Sequence, residues 1–236
     1  MTISERGLLL VAATDLELCG HPGLECGVGP VEAAATTAAE LAASRPEAVL
    51  HVGIAGGRGI IPGAVAIGTE AVYADLSAAI PVVERVQADP ALLSAARLAM
   101  PAAIALPIAT SAAVTHGQAV HQFRVEGMEG FGVLRACERA GVPAVEVRVV
   151  SNDMGEGDRS RWMIKRALES LDEAIPTLLE ALGSTSVPAH GAAREELAPV
   201  QPRLLAPDLR HAPDEAQHLL PVRRQLPVQP RQLAVL

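Results

Sequence analysis

The residues of this chain best suited to chemistry stand just past its apolar runs. The stretch "SNDMGEGDRSRW" (residues 151–162) follows the apolar run "VPAVEVRVV". Ser151, Asn152 and Asp153 set a hydroxyl, an amide and a carboxylate side by side. In an open α/β sheet, ligands bind at the loops past the carboxyl ends of the strands. The same residues also read as an Asx-rich turn that caps the next helix. Four residues before Asn152, Arg148 interrupts a strand-like run. A buried arginine demands a carboxylate partner, and Glu129 in "EGMEGFGV" or Glu17 in "ATDLELCG" would serve. Both acids also have plain structural readings. Glu129 opens a helix, where negative charge is favourable, and Glu17 reads as an exposed loop acid. The Asn152 amide donates and accepts at once.

The elements that must position these groups follow from pattern. The chain begins with a strand from Leu8 to Ala13, then "VEAAATTAAELAASR" has helix composition and Pro46 ends it. "EAVLHVGIAGG" is a second strand closed by glycines. Strand, helix and strand in this order form a right-handed parallel crossover. "GAVAIGTEAVYAD" supplies one or two further strands, residues 87–100 a helix, and "AAIALPIAT" another strand. "MEGFGVLRACERAG" is a helix stopped by Gly141, and "VPAVEVRVV" is a buried strand. From Asp158 onward, Trp162, Leu168, Leu171, Ile175, Leu178 and Leu182 give one apolar helix face, which Pro176 is expected to kink. Residues 183–236 carry eight of the eighteen prolines and no sustained period. They read as a disordered extension behind a domain spanning 1–182.

Composition narrows the class. Half of the 236 residues are hydrophobic, with only two Phe, one Tyr and one Trp. Such a core suits a buried, largely parallel sheet covered by helices. The net charge of −8 and the absence of a basic stripe argue against a nucleic-acid partner. Cys19, Cys26 and Cys137 have no metal spacing, so neither a metal site nor a disulfide framework is expected, and a cytoplasmic location is. "GLLLVAA" is too short for a membrane span and reads as a strand, so no membrane association is expected.

In their order, "ATDLE", "GVGPVEAA", "HVGIAGG", "EGMEGFGV" and "VRVVSN" resemble the purine nucleoside phosphorylase and nucleosidase superfamily. Within it the likeness is greatest to the futalosine hydrolases, nucleosidases of the alternative menaquinone pathway. It extends from residue 7 to about 182. The resemblance implies an α/β fold, with a central mixed, largely parallel twisted sheet flanked by helices. It also implies a homo-oligomer without a cofactor that cleaves the N-glycosidic bond of a nucleoside. On this reading Glu129 clamps the ribose hydroxyls, with Met128 against the sugar face. Glu17 activates water, and Arg148 supports the carboxylates. Asn152, where adenine-specific relatives have Asp, suits a 6-oxopurine such as hypoxanthine. Gly27, Gly29 and the turn Gly53–Gly57, with Gly56 in it, offer N–H groups for an anion. Ile54 stands where phosphorylases place a hydroxyl, which favours water over phosphate, although Arg58 lies close in sequence. Three departures accompany the match: the segment between Glu17 and Gly27 is short, the segment from Thr115 to Met128 is compressed, and the nearest aromatic to the base position, Phe123, is offset from it.

Overall fold

The computed structural model describes residues 7–76, 78–113 and 122–186. The first crossover consists of β1 (Leu8–Ala12), the short α1 (Asp15–Leu18), β2 (Leu24–Glu25), α2 (Pro30–Ser44) and β3 (Ala48–Gly57). There follow β4 (Val65–Tyr73), β5 (Arg85–Gln87), α3 (Pro90–Ala99), β6 (Ile104–Thr110) and β7 (Val125–Gly127). The chain then forms α4 (Gly130–Ala140), β8 (Ala144–Asp153) and α5 (Ile164–Gly183).

Local chemistry sets the helix ends. Pro30 opens α2, its fixed φ suiting a first helical position. At α3 the Asp89 carboxylate accepts the Ala91 and Leu92 N–H groups at 2.9 and 3.1 Å. Gly141, in the left-handed region at φ 69°, stops α4. Pro176 lies on the exposed side of α5, which continues through it. The helix can run on because only one hydrogen bond, on the solvent side, is lost.

The sheet is mixed and closes on itself. β3 runs parallel to β1 and β8, β8 antiparallel to β4, and β4 parallel to β6. β6 is parallel to β7, and β7 returns antiparallel to β3. Strands β3, β8, β4, β6 and β7 therefore form a ring, with β1 and β2 extending from β3 and β5 antiparallel to β4. Closure removes the unpaired edges that an open sheet must protect.

Alternate residues of the central strands feed two cores. Leu50, Val52, Val145 and Val147 pack with Leu171, Ile175 and Leu178 of α5 and Leu92 of α3. Val49 and Ala144 pack with Leu41 of α2 and Val133, Leu134 and Cys137 of α4. This is the helix–sheet–helix layering expected from the sequence.

Three differences concern the expected boundaries. β8 does not stop at Val150; Ser151, Asn152 and Asp153 are still strand. The closing helix starts at Ile164, not Asp158, because Asp158 caps a separate 3-10 turn over Arg159–Arg161. β2, β5 and β7 are new, and runs of two or three residues show no periodicity. The proline-rich extension falls largely on 187–236, outside the described residues.

α2 and α4 meet at Gly132, where a Cβ would collide with the Pro30 carbonyl oxygen. Replacing a helical Gly by Ala ordinarily gains about 1 kcal/mol. Gly132→Ala is expected to reverse that sign and cost about 1–3 kcal/mol through overpacking. The shift of the urea unfolding midpoint measures it.

Candidate active site

β3 creates the site by exchanging neighbours along one edge. β1 pairs with it through His51, and β7 joins the same edge from Gly56. Ile54 falls in the gap. Its N–H is taken by Glu17 Oε1 at 2.8 Å, and its carbonyl faces Arg148 Nη1 at 3.5 Å. A backbone opening that would leave buried polar groups unpaired is instead filled by two charged side chains.

Arg148 is completely buried. Its Nε donates to Glu146 Oε1 at 2.7 Å, and Nη2 donates to Glu129 Oε2 at 3.3 Å and to His51 Nε2 at 2.6 Å. The His51 Nδ1–H donates to the Val11 carbonyl at 3.1 Å, which leaves Nε2 as the acceptor. Burial, reinforced by Arg148, pushes His51 well below its usual pKa, so it is neutral. Burial also works against the charge of Arg148. The Glu146, Glu129 and Glu17 carboxylates overcome that cost and hold its pKa above the usual value.

The guanidinium fits because its surroundings lack Cβ atoms. A Cβ at Gly53 would strike Arg148 and come within 2.8 Å of Glu17 Oε1. One at Gly127 would lie 3.1 Å from Arg148 Cζ, and one at Gly130 would strike the Glu146 carboxylate.

Glu129 stands at the start of α4, where α2 also begins. Its Oε1 accepts the Gly29 N–H at 3.1 Å, and Oε2 accepts the Met128 N–H at 3.3 Å. The helix dipole favours its negative charge there. Thr110 Oγ1 completes the helix start by accepting the Phe131 N–H at 2.7 Å. Burial raises the pKa of Glu17, opposed by Arg148 and the Ile54 N–H.

These elements surround a cavity of about 290 Å³. Glu17, Ile54, Gly56, Met128, Glu129 and Asn152 all line it, as does Ser151. A bulge aims Asn152. Ala55 pairs with Val150 but Gly56 with Asn152, so Ser151 is the extra residue. Ser151 Oγ donates to Asn152 Oδ1 at 2.7 Å, and Asn152 Nδ2 donates to the Asp153 carbonyl at 3.0 Å. Asp153 faces solvent and accepts the Gly155 N–H, an Asx turn beginning one residue past the cavity.

Two expected site residues lie elsewhere. Arg148 does not line the cavity; it is a fully buried cation that pairs with Glu129 and Glu146. Gly29 also stays outside, its N–H spent on Glu129. Phe123 packs against Val72, Ala109 and Met154 rather than on the cavity. The aromatic at the cavity is Trp162, just ahead of α5. Its Nε1–H donates to the Glu156 carbonyl at 3.0 Å, and the Arg159 guanidinium lies 5.3 Å from its ring centre. Glu126, on β7, also lines the cavity, and burial raises its pKa against the pull of Arg58. Sequence reasoning passed over Glu126, Glu146, His51 and the role of Trp162. For Glu146 a signal existed: it shares the two-residue strand period with Arg148. Among the described residues, no group of His, Cys, Asp or Glu is arranged to hold a metal ion.

A closed mixed sheet with acidic groups and an amide at one cavity defines an α/β protein of the phosphorylase type. The chain belongs to the phosphorylase superfamily, whose family model matches residues 23–183. A futalosine hydrolase of Streptomyces coelicolor is 48% identical over 59 residues, 25% of either chain. The match thus spans about a quarter of that relative's length. In fold the chain is similar to the futalosine hydrolase of Helicobacter pylori, with a TM-score of 0.66 at 16% identity. That superposition covers 74% of this chain and 97% of the other. A 5'-methylthioadenosine/S-adenosylhomocysteine nucleosidase of Colwellia psychrerythraea, in complex with adenine, gives 0.69 at 17% identity, covering 80% and 99%.

Removing the cation should expose what it balances. Arg148→Leu leaves Glu146 and Glu129 without their shared partner and is expected to cost about 3–5 kcal/mol of stability. Adding Glu146→Leu should recover part of that loss, because the unpaired buried charge goes with it. Denaturant unfolding of both variants measures the coupling.

Proposed function

We propose that this protein is a nucleosidase that hydrolyses the N-glycosidic bond of futalosine and releases hypoxanthine. The observation that carries the proposal is that Glu17, Glu129 and Asn152, drawn from three separate elements, meet at one cavity. The partial match to a futalosine hydrolase supports the substrate.

Glycosidic cleavage places positive charge on the sugar and negative charge on the departing base. Glu129 accepts the ribose hydroxyls and favours the sugar cation. Gly29, Met128 and Arg148 already orient its carboxylate, which limits reorganisation in the transition state. Met128 packs its thioether on the sugar. Glu17, held by the Ile54 N–H, takes a proton from water as the water attacks the anomeric carbon. The Asn152 amide, oriented by Ser151, donates toward the base as it leaves.

Water is favoured over phosphate by how the backbone donors are already used. The Ile54 N–H serves Glu17, the Gly29 N–H serves Glu129, and the Gly27 N–H donates to the Ala13 carbonyl at 3.1 Å. A phosphate nest needs such groups free. At the rim, Leu16 and Val28 line the cavity yet are 71% and 57% exposed. These apolar groups fit the homo-oligomer that the resemblance implies. No helix among the described residues is long and apolar enough to cross a membrane.

Futalosine incubated with the protein should yield hypoxanthine at a rate independent of added phosphate, read by chromatography of the base. Glu129→Gln is expected to lower kcat about 10²-fold or more, with a smaller change in KM, because the carboxylate acts as charge develops. Near wild-type turnover in the folded variant would remove Glu129 from the mechanism.

Burial raises Glu17, so it loses its charge at a higher pH than an exposed glutamate does. As pH falls through that value the base becomes protonated and hydrolysis stops. The acidic limb of kcat/KM is therefore expected above the ordinary glutamate range, and Glu17→Gln should abolish the limb together with most activity. A pH profile with the inflection at the ordinary value would contradict this role.

A further inference from the structure

Gly56 is the floor of the cavity and the meeting point of three strands. On β8 its register partner is Asn152, and on β7 it is Glu126. Residues in register project from the same sheet face, and neighbouring strands are about 4.8 Å apart. Glu126 and Asn152 therefore flank a bare glycine at a separation of roughly two strand spacings. A flat ring can lie between them.

Glu126 is aimed at that floor. A Cβ at Gly56 would lie 3.3 Å from Glu126 Oε1, so the carboxylate lies over the glycine. The residue is only 9% exposed, and Oε2 is buried without a hydrogen-bond partner. An unsatisfied buried acceptor is costly and rare in a native fold. A ligand donor would satisfy it.

We infer that Glu126 is a specificity-determining residue of the base pocket, its carboxylate accepting the ring N1–H of a 6-oxopurine. The inference rests on the nucleosidase reading above and deepens it. In a 6-oxopurine the N1–H donor adjoins the O6 acceptor. In a 6-aminopurine N1 is an acceptor and the exocyclic nitrogen a donor. An amide offers both functions, so Asn152 alone does not exclude an aminopurine. A carboxylate only accepts: it pairs with N1–H and opposes the lone pair at N1 of adenine. A site that leaves such a buried group unpaired discriminates strongly.

The test is calorimetric titration of the full-length protein with hypoxanthine, 1-methylhypoxanthine and adenine. Wild type should bind hypoxanthine about 10- to 100-fold more tightly than 1-methylhypoxanthine, the range for a hydrogen bond to a charged group. Glu126→Leu should erase most of that preference by weakening hypoxanthine. Glu126→Gln, whose amide can donate to N1 of adenine, should shift the hypoxanthine-to-adenine ratio toward adenine. Because Oε2 has no hydrogen-bond partner, the near-isosteric Glu126→Gln should keep the wild-type fold, checked by its melting temperature. If both variants keep the wild-type preferences, Glu126 does not read the base and the inference falls, while hydrolysis of futalosine stands. A wild type that neither binds hypoxanthine nor cleaves the nucleoside overturns the inference and the nucleosidase reading together.

Discussion

The buried guanidinium of Arg148 is the constraint around which the site is organised. A charge this far from water persists only with partners that match it, and the fold supplies them from β3, β8 and the start of α4. Its presence accounts for Gly53 and Gly127, which leave the space it occupies, and for Gly130, which leaves room for the Glu146 carboxylate that pairs with it. It accounts for the neutral tautomer of His51, whose ring must accept where Arg148 donates. Glu17 and Glu129 lie more than a hundred residues apart in sequence, yet both feel the same cation. One inaccessible charge thus aligns two accessible ones.

The backbone supplies the second organising device. Where β3 changes neighbours, Ile54 offers an N–H that sheet pairing does not use, and Glu17 is fixed there. Where β8 bulges at Ser151, the side chain facing the floor becomes an amide rather than a hydroxyl. Both irregularities fall toward the carboxyl ends of their strands, β3 and β8. Regular pairing gives rigidity, and the two interruptions give the cavity its polar groups.

Much of this was legible in the sequence. β1, α2, β3, α4 and β8 announce themselves through long aliphatic runs and clear stops such as Pro46 and Gly141. Asn152, Glu129 and Glu17 were visible as polar groups just past or within those runs. Arg148 is recognisable as a buried cation, but Glu146, its nearest carboxylate, is hidden in plain alternation two residues away. Glu126 was harder. Its importance depends on a three-residue strand pairing with Gly56, a long-range register that no local pattern encodes. The spacing of Trp162 suits a helix, whereas Asp158 diverts the chain into a separate turn first.

The position of Trp162 has an optical consequence. It is the chain's single tryptophan, so nearly all long-wavelength ultraviolet emission comes from one indole. That indole borders the cavity, pinned to the Glu156 carbonyl and faced by the Arg159 guanidinium. A molecule entering the cavity changes the polarity and the electric field around the ring without competing signal from elsewhere in the fold. The protein carries its own spectroscopic gauge of occupancy, with no label attached.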